Sequence, residues 1–269
     1  METLSYLFFS LIQSATEFLP VSSSGHLLFF KGLLHRQEIP IVFDIVVHVG
    51  SLVAILIYYF SKLLFTFGTA RTELVEKRGE KPQCRWLVFL IVSTAATFVF
   101  FLLFKKPILS MEENPRILLP AYLVTTVILF STVLARSRRQ TAIVNLGWGA
   151  PLAAGLFQGL AILPGISRSG STLSSLLYFG ARKEEAAYYT FSLAVPAVLG
   201  ALAFKLTDVK SLDYLARHWI LVLSSFAVSV VFSFLFLVVL NWILRKGKFW
   251  VFGLYTFAMA VVSGLLFNR

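Results

Sequence analysis

Long apolar runs alternate with short polar breaks along this chain. Six runs are long enough to cross a bilayer, which takes about 20 helical residues. They lie near 39–60, 85–104, 116–135, 187–206, 219–241 and 249–267. Four further runs, about 4–18, 25–35, 150–163 and 171–180, are too short or too broken to cross. They fall into two pairs, and each pair brackets a polar motif. A helix in, a polar bend and a helix out make a re-entrant hairpin, and half a bilayer takes roughly ten helical residues. Non-helical backbone at that depth persists only where protein buries it or a wet cavity lines it.

The predicted order is hairpin, three spans, hairpin, three spans, in an all-α polytopic membrane protein. Internal likeness points to a duplication. Gln13 precedes Leu19-Pro20 and a serine run, and Gln158 precedes Leu163-Pro164 and another. Phe43-Asp-Ile-Val-Val-His-Val-Gly-Ser-Leu52 and Phe191-Ser-Leu-Ala-Val-Pro-Ala-Val-Leu-Gly200 each follow their motif at a similar distance. The first repeat is placed at 1–140 with its hairpin at 4–35, and the second at 141–269 with its hairpin at 150–180. Three spans is an odd number, so the halves are expected to have opposite orientation and to meet near the midplane, as in transporters built from inverted repeats.

Composition narrows the class. The 269 residues are 58% hydrophobic and 14% charged, against about 25% charged in soluble domains. With one cysteine, Cys84, the chain has no internal disulfide and no cysteine metal cluster. Cys84 is expected in a charged loop. Met1-Glu2-Thr3-Leu4 lacks the basic start of a signal peptide, so the first apolar segment is expected to stay. The net charge of +11 falls mostly in short loops. It is read as topology and contact with anionic lipid head groups, not nucleic acid. The loop expected at 61–85, with 136–149, 181–186 and 242–248, makes the more basic and therefore cytoplasmic side.

The two motifs carry the chemistry. In Pro164-Gly-Ile-Ser-Arg-Ser-Gly-Ser-Thr172, Pro164 and Gly165 break the incoming helix, and Ser169 or Ser171 is expected to cap the outgoing one. A helix start attracts anions, and Arg168 adds a planar fork that fits phosphate oxygens. Ser167, Ser169, Gly170 and Thr172 complete a candidate phosphate cradle. In Glu17-Phe-Leu-Pro-Val-Ser-Ser-Ser-Gly-His26, Pro20 ends a helix, and Ser22, Ser23 and Ser24 can cap the next. Ser22 and Ser24 are candidate phosphate donors. Glu17 and His26 add acid–base capacity, with Glu17 expected to orient the imidazole or hold a divalent cation. Gln13 lies one turn before Glu17 on the same face and is a second candidate cation ligand. Asp44 and His48 share a face at i, i+4, open to cavity lining or to mutual hydrogen bonding. Gly155-x-x-x-Gly159 permits close helix packing. His35 and His218 lie near span ends and are read as interfacial.

These residues resemble the bacterial undecaprenyl-diphosphate phosphatases of the bacitracin-resistance type. The first signature of that family, Glu/Gln-x-x-x-Glu-Phe-Leu-Pro-Val-Ser-Ser-x-Gly-His, is matched by Gln13 through His26. The second, Pro-Gly-x-Ser-Arg-Ser-x-x-Thr, is matched by Pro164 through Thr172. This chain has Gln13 where many members have Glu, which places more weight on Glu17. The resemblance implies hydrolysis of undecaprenyl diphosphate to the monophosphate carrier lipid of cell-wall synthesis. It also implies an inner-membrane location, a site facing outward and help from Mg²⁺ or Ca²⁺. Expected partners are the polyprenyl diphosphate and membrane lipids, and the sequence leaves a homodimer open.

On that expectation Arg168 and the two helix starts hold the phosphates. Ser23 is a candidate nucleophile, with His26 as base or as acid for the leaving group. Direct attack by water activated through Glu17, His26 or metal is the rival route. A transporter or flippase of a lipid phosphate or small anion is the alternative of a different class. A carrier needs the anion clamp and not the acid–base pair.

Overall fold

A computed structural model describes residues 2–33, 41–76, 81–111, 114–135, 140–205 and 216–268. The described residues are mostly α-helical. In chain order the helices are α1 (Glu2–Phe18), α2 (Ser23–Leu33), α3 (Ile41–Tyr58), α4 (Phe60–Glu76), α5 (Pro82–Met111), α6 (Leu118–Ala135), α7 (Gly149–Leu160), α8 (Arg168–Tyr178), α9 (Lys183–Lys205), α10 (Trp219–Arg245) and α11 (Val251–Phe267). The chain is an all-α polytopic membrane protein.

Each polar motif joins two packed helices, α1 to α2 and α7 to α8. Chain direction changes after α1 at Leu19–Ser22 and after α7 at Ala161–Ser167. Proline supplies no N–H and cannot continue a helix, and Pro20 and Pro164 stand inside these two bends. Gly165 has φ +96° and Ser22 has φ 68°. Both lie in the left-handed region, which glycine adopts freely and serine rarely.

The spans depart from expectation in two places. Of residues 61–85, expected to form a loop, 61–76 and 82–85 are helical. Phe60–Glu76 is a helix, bent 71° from the end of α3, and Cys84 sits in the first turn of α5 rather than in a loop. The six expected runs also differ in weight. Residues 82–111, 115–133 and 219–245 are long and apolar enough to span alone, the bent α3–α4 pair makes a fourth, and α11 is apolar but only 17 residues long. α9 has 23 residues, opens on Lys183-Glu184-Glu185 and contains Thr190, Ser192 and Pro196, which dilutes its hydropathy. Lys77, Arg78, His35 and Lys210 lie outside the described residues.

The helices pair across the two halves. α1 packs along α10, and α7 packs along α5; α3 packs on α10, and α6 packs on α11. The polarity is inverted relative to a soluble domain. Ile91, Leu102, Leu103, Val127, Ile220 and Val231 are exposed, whereas Ser93, Ser225, Ser229, Ser233, Thr256 and Ser263 are fully buried. Lipid solvates apolar side chains, so small polar residues collect where helices meet. Ser51 Oγ lies 2.8 Å from Ser233 Oγ, and Ser229 Oγ donates to the Val47 carbonyl at 2.6 Å, joining α3 to α10. Thr126 and Thr256 hydroxyls meet at 2.8 Å and join α6 to α11.

The Gly155-x-x-x-Gly159 pattern acts in packing, as expected. A Cβ on Gly155 would stand 2.3 Å from the Ser93 carbonyl oxygen, and one on Gly159 would stand 2.7 Å from Phe100. Gly155→Val is expected to cost about 1–3 kcal/mol by overpacking, read as a lower unfolding temperature in detergent. Gly68→Ala, inside α4 where an added Cβ has no neighbour within 4 Å, is expected to raise that temperature slightly, because alanine favours the helix interior over glycine.

Candidate functional site

The two bends meet and interlock. Gly165 N–H donates to Ser22 Oγ at 3.1 Å, and Ser169 Oγ donates to the Leu19 carbonyl at 3.2 Å. A Cβ on Gly25 would lie 2.8 Å from Gly165 Cα, so the two backbones touch where neither residue has a side chain. Thr125 of α6 clamps the second bend from behind. Its hydroxyl donates to the Gly165 carbonyl at 2.8 Å and accepts from Ser167 N–H at 3.1 Å.

Local hydrogen bonding explains why each outgoing helix starts where it does. Ser167, rather than the expected Ser169 or Ser171, is the N-cap of α8, its Oγ accepting from Gly170 N–H at 3.1 Å. A cap must precede the first helical turn, and α8 begins at Arg168, which leaves Ser169 and Ser171 inside it. At α2 the same office falls to Ser22, whose Oγ accepts from Gly25 N–H at 3.2 Å and whose carbonyl accepts from His26 N–H at 3.2 Å.

Glu17 and Arg168, on different bends and 151 residues apart, form an ion pair through Glu17 Oε1 and Arg168 Nη2. The carboxylate side chain is 5% exposed and the guanidinium side chain 24%. The other carboxylate oxygen, Oε2, is crowded. It accepts from Ser23 Oγ at 2.6 Å and from Gln13 Nε2 at 2.7 Å, and His48 Nε2 stands 3.4 Å away. Each donor stabilises the charged carboxylate. A serine hydroxyl in hydrogen-bond reach of a carboxylate is the pairing of a nucleophile with its base.

His26 occupies a separate corner. Its Nδ1 is 2.7 Å from the Ser22 carbonyl, its Nε2 is 2.7 Å from the Tyr255 hydroxyl, and the Tyr122 hydroxyl lies 3.1 Å from Nδ1. The expectation that Glu17 orients this imidazole is therefore corrected. The Ser22 carbonyl and two tyrosines orient it, while Glu17 faces Arg168, Ser23, Gln13 and His48.

The remaining candidates divide by exposure. Ser23 and Arg168 reach the centre. Ser24 is half-buried, with its Oγ 3.4 Å from Ser22 Oγ. Ser22, Ser167 and Ser169 are buried and spend their hydroxyls on the bends, and Gly170 packs against Pro20. Thr172 is fully buried, and its Oγ1 has no hydrogen-bond partner among the described residues. The side chain of Asp44 lies outside the described residues.

Sequence reasoning did not place Tyr122, Tyr255, Thr125 or His48 against the bends. His48 offered a signal, a polar residue inside a span. The tyrosines and Thr125 offered none, because isolated hydroxyl residues in spans are common as packing contacts.

A divalent cation was tested against the donors present. Among the described residues no three His, Cys, Asp or Glu side chains are gathered to hold a metal. Gln13 Oε1, however, is buried without a hydrogen-bond partner, and its amide nitrogen is bonded to Glu17. With the Gln13 amide turned over, its carbonyl oxygen and the Glu17 carboxylate offer two hard donors for a cation that takes its remaining ligands from phosphate and water.

Comparison with known proteins agrees with the geometry. The family model described as "Bacitracin resistance protein BacA" matches residues 6–262. The undecaprenyl-diphosphatase of Desulfatibacillum aliphaticivorans is 34% identical over 268 residues, covering 95% of each chain. That of Elusimicrobium minutum is 32% identical over 262 residues and 97% of each chain. That of Methanosphaera stadtmanae is 32% identical over 276 residues, covering 99% of this chain and 98% of its own. The chain belongs to the bacitracin resistance protein BacA family.

Removing one partner of a buried ion pair leaves the other charge uncompensated. Arg168→Ala is expected to destabilise the fold by about 3 kcal/mol or more. The double variant Glu17→Gln, Arg168→Met is expected to recover most of that loss. Thermal unfolding of the purified variants in detergent checks both.

Proposed function

We propose that this member of the BacA family is an integral membrane phosphatase. It hydrolyses undecaprenyl diphosphate to undecaprenyl phosphate and inorganic phosphate, returning the carrier lipid to cell-wall synthesis and conferring bacitracin resistance. One observation carries this reading: a serine hydroxyl, a carboxylate and an arginine fork converge where two broken helices meet inside an apolar bundle. A carrier needs a clamp for the anion; it does not need a hydroxyl held 2.6 Å from a carboxylate.

The polyprenyl tail lies among the apolar spans, and the diphosphate head enters between the bends. Arg168 turns from Glu17 to the phosphate oxygens and stabilises the charge that spreads over them in the transition state. Ser23 Oγ attacks the terminal phosphorus and passes its proton to Glu17 as the bond to the bridging oxygen breaks. Undecaprenyl phosphate leaves. Water then attacks the phosphoserine and gives one proton to His26 Nε2; the P–Oγ bond breaks, Ser23 Oγ takes back the proton held by Glu17, inorganic phosphate leaves, and His26 returns its proton to solvent. His26 is the second proton-transfer group. Its Nδ1 is held by a carbonyl, so Nε2 is the nitrogen that exchanges protons.

Glu17 and Gln13 Oε1 would hold a divalent cation such as Mg²⁺ or Ca²⁺. When bound, it would neutralise phosphate charge. The protein resides in the inner membrane with its more basic loops cytoplasmic and its site open outward. The exchanged packing of α1 on α10 and of α7 on α5 supports the reading of two inverted repeats.

Purified protein in detergent is expected to release phosphate from undecaprenyl diphosphate. Ser23→Ala should abolish release and Arg168→Lys should lower it by about two orders of magnitude, because the fork is lost although the charge remains. Full activity of Ser23→Ala would replace the serine route with direct attack by water. Excess chelator is expected to slow the wild type, and Gln13→Leu should raise the Mg²⁺ concentration that restores it. A rate indifferent to chelator in both proteins would remove the cation from the reaction.

A further inference from the structure

Tyr255 lies in α11, a helix that carries neither motif. Its hydroxyl is 2.7 Å from His26 Nε2, and its ring lies within 8° of the imidazole plane, with centroids 5.6 Å apart. His26 is 3% exposed, whereas Tyr255 is 46% exposed. The nitrogen turned away from Ser22 thus meets a phenol that reaches the edge of the bundle.

The two nitrogens of His26 have different partners, and elementary chemistry assigns them. A backbone carbonyl can only accept, so Nδ1 carries a proton toward Ser22. Nε2 then bears the lone pair and receives the phenol O–H. When Nε2 gains a proton the contact reverses, and N–H donates to the phenol oxygen. The proton comes from the water that attacks the phosphoserine and reaches Nε2 as the phenol O–H swings aside, so no bond of Tyr255 breaks and the phenol stays protonated throughout.

The position of Tyr255 is built in. The next residue, Thr256, bonds Thr126 of α6 at 2.8 Å, one turn beyond Tyr122, which stands edge-on to His26 at 85°. Ala260 of α11 is buried with Tyr122, Leu118 and Phe29. One seam between α6 and α11 therefore sets both tyrosines around the imidazole.

We propose that Tyr255 is a positioning residue for proton transfer by His26: its hydroxyl fixes the direction of Nε2 while the Ser22 carbonyl fixes the tautomer. This rests on the reading of His26 as the second proton-transfer group.

Tyr255→Phe keeps the ring and removes only the hydroxyl. It is expected to lower kcat about tenfold, the scale of one lost hydrogen bond at a reacting group, with KM changed by less than about twofold. In a His26→Ala background the same substitution should have no further effect. Equal losses in both backgrounds, or an unchanged kcat, would overturn the proposal. A second readout does not depend on turnover. The ¹⁵N resonance of His26 Nε2 in isotope-labelled protein should shift on Tyr255→Phe and stay in place on Tyr58→Phe; no shift would also overturn it. If the wild type releases no phosphate yet the resonance moves, the contact stands and the proposed activity fails.

Discussion

One carboxylate and one guanidinium, held together in an apolar bundle, organise this molecule. Glu17 and Arg168 come from different bends, and either alone would be a charge stranded in lipid. Their union needs two helices to stop short and two bends to arrive at one place. The glycine contact at Gly25 and Gly165, the Ser22 hydroxyl on Gly165 and the Thr125 clamp all serve that convergence. The pair is also poised. Its strength comes from the absence of water, and a phosphate arriving in the same dry place competes for the guanidinium on equal terms.

The surrounding bundle is held by weaker forces used many times. Serine and threonine hydroxyls bridge α3 to α10 and α6 to α11. Each such bond is worth about 1 kcal/mol in a bilayer. Their value lies in register, because a hydroxyl pair fixes how far one helix slides along another. That register sets where Tyr122 and Tyr255 stand, so helix packing and site geometry share the same seams.

Much of this was legible in the chain itself. The two hairpins followed from apolar runs too short to cross, with prolines 20 and 164 at their ends. The meeting of Glu17 with Arg168 followed from polar groups in lipid that need partners, whereas the pairing of Ser23 with Glu17 rather than His26 did not. Three further things were hidden. The helix at Phe60–Glu76 carries enough charge to read as a loop, and the structure shows it to be helical. The cap at Ser167 could not be chosen among several serines until the start of α8 was known. The pairing of His26 with Tyr255 spans 229 residues, and nothing local to either residue marks it.

The distance along the chain between Glu17 and Arg168 has a biosynthetic consequence. A ribosome adds about 5–20 residues per second, so the 151 residues between them take roughly 8–30 seconds to appear. Through that interval the nascent carboxylate has no guanidinium. It must stay protonated, remain in the aqueous vestibule of the insertion machinery, or wait outside the slab. The first hairpin can therefore hold an ionised Glu17 at its final depth only after the second has been translated.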